Sequence, residues 1–348
     1  MKIKKNFIAA TMLAGATTVL SFLSAGSAQA QGALVMYCGV QEEWCRAMTT
    51  AFERETGIKV SMTRKSSGEI YAQVKAEGAN PRADIWWGGT GDPHMQAAEE
   101  GLTVEYTSPK NAELQDWAIR QWEQSKNRTI GIYSGALGFG YNTDLIKSKG
   151  VAEPKCWADL LNVKFKDEVQ MADPNSSGTA YTLLATIVQL MGEEKGFEYL
   201  KALHKNVNQY TKSGAAPAKA MALGETTIGI AFMHDIVTML VDKAPIKVVA
   251  PCEGTGYEIG SMSIIKGAKN MDSAKKFYDW ALTPAAQKLG ADAKSYQVPS
   301  NKATPVPPEA PKLSEIKLIN FDFAKYGSSD ERKRLLSKWD NEVKNLPK

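Results

Sequence analysis

The 348-residue chain is 43% hydrophobic and 23% charged, with 42 Lys and Arg against 38 Asp and Glu. That balance excludes a disordered or low-complexity polymer, and a net charge of only +4 excludes the basic surface that nucleic-acid binding requires. Beyond residue 30, no apolar run approaches the roughly 18 residues of a membrane-spanning helix.

The chain opens with Met1-Lys2-Ile3-Lys4-Lys5, continues through an apolar stretch over 7–23 and reaches Ala28-Gln29-Ala30. A basic start, an apolar middle and small residues at the exit predict a secretory signal peptide over 1–30, cleaved after Ala30. Thr11, Thr17, Thr18 and Ser21 dilute the apolar run and argue against a retained anchor. Removing Lys2, Lys4 and Lys5 with the leader lowers the formal charge from +4 to +1. The exported part holds all four cysteines, Cys38, Cys45, Cys156 and Cys252. An even number in an oxidising compartment predicts two disulfides. Sequence allows three pairings, of which Cys38 with Cys45 and Cys156 with Cys252 is preferred. A zinc site is the rival, but no spacing is Cys-x2-4-Cys and the three histidines lie far apart.

In chain order, 34–37 reads as a strand and 42–55 as a helix, with Trp44, Met48 and Phe52 at four-residue steps and Gly57 as the stop. A strand over 58–62 follows, then Ser66-Ser67-Gly68 opens a helix over 69–77, and 84–87 is a third strand. After a polar middle section, the pattern restarts with strands over 136–141 and 169–172. The second of these leads into Asp173-Pro174-Asn175-Ser176-Ser177-Gly178-Thr179-Ala180-Tyr181 and an apolar helical stretch over 183–191. Further strands are expected over 227–232, 246–249 and 261–265, a Pro-rich connection over 299–311, and a charged terminal helix over 330–346. Strands alternating with helices in this way predict a parallel, helix-covered sheet.

Ligands of open α/β sheets sit beyond the carboxyl ends of the strands. Four loops are expected there: Ser66-Ser67-Gly68, Gly88-Gly89-Thr90-Gly91-Asp92, Ser177-Gly178-Thr179 and His234-Asp235. The first turn of a helix carries backbone N–H groups without intrahelical partners, and its dipole favours negative charge. Hydroxyls and glycines at such a turn suit an oxyanion; the ordinary alternative is a Ser or Thr capping its own helix. None of the loops contains Lys or Arg, although Arg64 and Lys65 precede the first. Neighbouring residues point different ways, so His234 and Asp235 read as hydrogen-bonding partners for sugar hydroxyls rather than as a catalytic dyad. The ordinary alternative is a capping or surface pair. Glu258, in the glycine-bracketed loop 251–258, is a second candidate carboxylate. Trp86 and Trp87 offer an aromatic face, with strand alternation sending at least one into the core. Gly-x-Ser-x-Gly, His-Glu-x-x-His and the Gly-Lys-Ser/Thr phosphate loop are all missing, so no enzyme is indicated.

Taken together, several stretches resemble the periplasmic solute-binding proteins of ATP-driven (ABC) importers, in the branch usually labelled ferric-iron binding, and most of all its hexose-phosphate-binding members. They are Tyr37-Cys38 with Cys45, Ala83-Asp84-Ile85-Trp86, Gly88-Gly89-Thr90, Cys156-Trp157, Ala172-Asp173-Pro174 with 176–182, 209–214, 224–230, His234-Asp235 and 251–258. The resemblance implies a type II α/β fold of two lobes, with mixed sheets flanked by helices and a ligand cleft between them. Residues 31–135 with 254–303 would form one lobe, and 136–253 with 304–348 the other. It implies phosphate binding by Ser67, Thr90, Ser177, Gly178 and Thr179, and sugar recognition by His234, Asp235 and Glu258. A periplasmic monomer is expected, delivering a hexose phosphate to an inner-membrane permease, without cofactor, bound metal or nucleic acid. Ferric-binding members use two adjacent tyrosines, whereas this chain reads Phe232-Met233-His234-Asp235-Ile236 at that place and Gly39-Val40-Gln41 where a histidine would stand. Ferric-iron capture, the alternative, would have to recruit Tyr37, Tyr181 and Tyr257. A secreted phosphatase is a third reading, for which no nucleophile is apparent.

Overall fold

A computed structural model describes residues 32–348; the leader expected over 1–30 and its cleavage lie outside them. Ten strands alternate with helices: β1 Ala33–Cys38, β2 Lys59–Arg64, β3 Ile85–Thr90, β4 Ile130–Asn142, β5 Val169–Ala172, β6 Val207–Thr211, β7 Ile228–Phe232, β8 Ile246–Val249, β9 Tyr257–Ile264 and β10 Val298–Pro299. They join in the order β2-β1-β3-β9-β4-β7-β5-β6, with β8 and β10 also on β4. The expected parallel pairing holds for β1 with β2 and β3, and for β5 with β6 and β7. The centre departs from it. β9 lies antiparallel to β3 and β4, and β4 antiparallel to β7 and β8, so the sheet is mixed. β7, β8 and β9 all run opposite to β4, so the direction changes at the long central strand.

β4 is 13 residues long and buried throughout, and it changes partners midway. Residues 130–136 pair with β9, while 137–142 pair with β7 on one edge and β8 on the other. The buried side chains divide at the same place. One cluster packs Leu34, Met36, Trp44, Phe52, Trp87, Ile130, Met262 and Phe277; the other packs Leu137, Phe139, Trp157, Met171, Leu184, Phe197, Leu335 and Trp339.

Local sequence explains much of the framework. In the helix Glu42–Thr56, Trp44, Met48 and Phe52 are buried as their spacing predicts, and Gly57 ends it at φ 73°, a left-handed position that glycine occupies without Cβ strain. The helix Gly178–Met191 is apolar nearly all round and buried accordingly. The terminal helix is shorter than expected, Ser329–Trp339, followed by a π-helical turn over Asp340–Lys344. The polar middle section holds two further helices, Gly91–Glu99 and Asp116–Gln124. The second buries Ala118 and Gln121 and packs the partly buried Trp117, Ile119 and Trp122 against the core. Among the described residues no helix is long and apolar enough to cross a membrane.

Both disulfides form as preferred, Cys38–Cys45 and Cys156–Cys252. The second closes a loop of 96 residues, for which chain entropy alone gives a stabilisation of about 4–5 kcal/mol. Beside it, the Glu253 carboxylate accepts the backbone N–H groups of Trp157 and Ala158 at 2.8 and 2.9 Å.

His94 braces the end of β3. Its ring stacks on Trp86 with centroids 3.7 Å apart. Its Nε2 donates to Gly88 O at 3.3 Å, which leaves Nδ1 to accept from the Ser263 hydroxyl at 2.8 Å. Burial pushes its pKa down to about 3. The unfolded chain therefore binds a proton that the folded one refuses between pH about 6.5 and about 3, and stability falls as pH drops through that window. His94→Asn is expected to remove up to about 1.4 kcal/mol per pH unit from that slope, read as urea midpoints of wild type and variant at pH 7, 6 and 5. Parallel pH dependences in the two proteins would refute the assignment.

Candidate ligand cavity

Four helices begin at the carboxyl ends of strands and direct their first turns at one place: Ser67–Glu77 after β2, Gly91–Glu99 after β3, Gly178–Met191 after β5 and Met233–Val241 after β7. They converge on one recessed cavity. Ser67, Thr90, Ser177, Gly178, Thr179, His234, Asp235 and Glu258 all line it.

The turn after β5 shows why donors are left over. Ser176 and Ser177 donate their N–H groups back to Asp173 O at 3.1 and 2.9 Å, and Ser177 Oγ accepts from Ala180 N at 3.4 Å, so Ser177 does cap its helix. The N–H groups of Gly178 and Thr179 find no partner among the described residues. Opposite them, Ser67 Oγ accepts from Thr90 N at 3.1 Å, while Thr90 Oγ1 is buried without a partner. The two sides touch through Gly68 N–H donating to Ser176 O at 3.0 Å. A Cβ on Gly178 would overlap Thr90 Oγ1. Such an arrangement suits an anion held by neutral, fixed donors.

At the other end, the structure revises the expected loop. His234 and Asp235 stand in the first turn of the helix Met233–Val241, with Phe232 as its N-cap. His234 Nε2 lies 3.7 Å from Glu258 Oε1 and 3.9 Å from Asp235 Oδ1, and its Nδ1 has no partner. Glu258 is on β9, not in a loop, directly across from Gly135 of β4. Burial lowers the pKa of His234, and burial, reinforced by Asp235, raises that of Glu258 well above the usual carboxyl range. Asp235 accepts a short hydrogen bond from Gln41 Nε2 across the cavity mouth, and Gln41 Oε1 in turn accepts from Ser295 Oγ at 3.1 Å.

Several expected participants are elsewhere. Trp86 and Trp87 are both core, at 0% and 2% exposure, so neither presents a face to the cavity. Trp86 lies under His94, and Trp87 packs edge-on against Trp44. Asp92 turns away to a buried ion pair with Arg332, whose guanidinium lies 4.1 Å from the Tyr181 ring centroid. Burial lowers the Arg332 pKa to about 9. Of the tyrosines that iron would need, Tyr37 donates to Glu77 at 2.5 Å, Tyr181 donates to Tyr326 O at 2.7 Å, and Tyr257 packs against Phe321 and Phe323.

Sequence reasoning did not select Gln41, Arg64, Tyr133 or Gln297, which also line the cavity. Tyr133 lies on the first half of β4, ahead of the stretch read as a strand, and its hydroxyl accepts from Gly89 N–H at 3.0 Å. Arg64 stood next to a selected loop, and its charge was the available signal. Gln297 precedes the two-residue β10, and nothing in its neighbourhood marks it.

A mixed α/β sheet with a recessed polar cavity at the strand ends defines a receptor for a small polar molecule. Comparison with known proteins agrees. Residues 80–326 match the family described as bacterial extracellular solute-binding protein, and the chain belongs to it. An uncharacterized protein of Haemophilus influenzae is 48% identical over 322 residues, 92% of this chain and 93% of that protein. The structure of the periplasmic binding protein AfuA from Actinobacillus pleuropneumoniae, with exogenous fructose-6-phosphate bound, is 44% identical, with a TM-score of 0.87 over 91% of this chain and all of AfuA. The periplasmic binding protein P5PA is 42% identical, with a TM-score of 0.87 over 90% of this chain and 100% of P5PA. The protein is thus a periplasmic solute-binding component of an ABC importer, in a family of binding proteins rather than enzymes.

The contact between Gly178 and Thr90 gives a direct test of this part of the cavity. Gly178→Ala places a methyl group against a buried threonine, and overpacking of this kind costs about 1–3 kcal/mol, or roughly 5- to 150-fold in affinity. The variant is expected to bind fructose 6-phosphate more weakly by that factor in calorimetric titration, and wild-type affinity would refute the role of the contact.

Proposed function

We propose that the protein captures a hexose phosphate and delivers it to an inner-membrane permease. The observation that carries this reading is the convergence of helix first turns with unpartnered N–H groups and hydroxyls on one end of a cavity whose other end is polar and neutral-to-acidic. Ser67 and Thr90 would face Ser177, Gly178 and Thr179 across the phosphate, while His234, Asp235 and Glu258 would meet the sugar hydroxyls. Each hydrogen bond to a charged group contributes roughly 1.5–3 kcal/mol. Three to five of them sum to roughly 4.5–15 kcal/mol, a range that spans the approximately 8 kcal/mol of micromolar binding before the losses of association are counted. The solved structure of AfuA with fructose-6-phosphate supports the same ligand class.

In this reading, residues 31–135 with 254–303 and residues 136–253 with 304–348 are two lobes. They pivot on β4, and the contacts Gly68–Ser176 and Gln41–Asp235 form as they close. Iron is less well served. The tyrosine on the cavity wall, Tyr133, is held by Gly89, and its pKa is raised by burial and then by Glu258, away from the tyrosinate that hard ferric iron requires.

Calorimetric titration with glucose 6-phosphate, inorganic phosphate and ferric citrate tests the reading. Tight sugar-phosphate binding without phosphate release is expected; iron binding with a tyrosinate absorption band, and none of sugar phosphate, would overturn it. Asp235→Ala removes a sugar partner together with the acceptor for Gln41. It is expected to weaken sugar-phosphate binding at least about 100-fold with the melting temperature nearly unchanged. Unaltered affinity would take Asp235 out of the site.

A further inference from the structure

The two ends of the cavity differ in charge. Of its lining residues only Arg64 is a Lys or Arg. Arg64 donates through Nε to Val40 O at 2.9 Å and reaches Ser213 Oγ at 3.5 Å. Gly214, next to Ser213, abuts both Thr179 and Ser177, so this cation belongs to the hydroxyl-lined end. At the far end, Asp235, Glu258 and His234 are 7%, 3% and 3% exposed, and no lysine or arginine stands among the cavity residues there. The imidazole rests against Gly135, where a Cβ would meet its Nδ1 at 2.5 Å, so it is confined beside the two carboxyl groups. That Nδ1 is buried and unpartnered, and Gln297 Oε1 is likewise buried without a partner on the same wall.

We infer that the cavity accepts a phosphate monoester only when the rest of the ligand is uncharged, because the buried far end, with Asp235 in it and no lysine or arginine, rejects a carboxylate or second phosphate. The inference rests on the sugar-phosphate reading above and specifies which members of that class are admitted. A second anion would be enclosed beside Asp235 away from water, and a buried charge without a counter-charge is strongly disfavoured. A hydroxyl there donates to Asp235 or exchanges hydrogen bonds with His234 and Glu258. Selection against a rival by repulsion is the commoner route to sharp discrimination when the favoured contacts are alike.

Two matched pairs of probes differ only in that group. Glucitol 6-phosphate and 6-phosphogluconate are open chains ending in CH2OH or COO⁻; glucose 1-phosphate and glucuronic acid 1-phosphate are the ring counterparts. Calorimetry on the wild-type protein is expected to show the carboxylate member at least about 100-fold weaker in whichever pair has a binding uncharged member. Asp235→Asn is expected to narrow that ratio at least about tenfold, whatever it does to the uncharged probe, and Glu258→Gln provides an isosteric second variant. A ratio within about threefold of unity in the wild type would overturn the inference, as would a ratio unchanged in both variants. Failure of glucose 6-phosphate and both uncharged probes to bind is a different result. It would remove the sugar-phosphate reading itself, and this inference with it.

Discussion

The backbone N–H groups at the start of a helix must be satisfied by something, and in this protein those of Gly178 and Thr179 are left at a cavity on which several helix first turns converge. The strand order places β2, β3, β5 and β7 so that their carboxyl ends look across at one another, and the helices that follow inherit that direction. The site is therefore built from main-chain geometry first and side chains second. Ser177 illustrates the economy of the arrangement, since its hydroxyl caps its own helix while the next two N–H groups remain free. Capping and ligand presentation are one local structure, not competing ones.

What keeps those helices in place is the packing on either side of the point where β4 changes partners. One apolar core gathers around Trp44, Trp87 and Phe277, the other around Trp157, Phe197 and Trp339. Cavity residues come from both, and the two sides also meet through polar contacts: Gly68 with Ser176, Gln41 with Asp235, Ser329 with Glu99 and Glu100, and the buried pair of Arg332 with Asp92. Asp92, an acid in the first turn of a cavity-facing helix, is paired off by the buried Arg332, so its charge does not oppose an anion at the helix start.

Much of the framework was legible from residue spacing. The face of Trp44, Met48 and Phe52, the stop at Gly57 and the strand–turn–helix over 169–191 follow from period, glycine conformation and capping chemistry, all of which act over a few residues. The readings that needed revision concern direction. His234 and Asp235 were expected in a loop because the strand ends at Phe232, but the helix starts at the very next residue. Trp86 and Trp87 alternate across a strand buried on both faces, so neither is free. The antiparallel centre of the sheet escaped the alternation rule because β4 runs opposite to β7, β8 and β9, a relation between strands far apart in the chain.

The sequence by itself determined that this is an exported-type α/β chain with two disulfides and hydroxyl–glycine turns at its helix starts, since composition, spacing and turn chemistry are local properties. It also placed all eight nominated residues at strand ends or glycine-rich bends. Only the tertiary structure decided that Gln41, Arg64, Tyr133 and Gln297 join them, and that the cavity's single cation sits apart from its buried acids. Those are relations between residues far apart in the chain, set by sheet order and by how two cores meet. No local pattern records them.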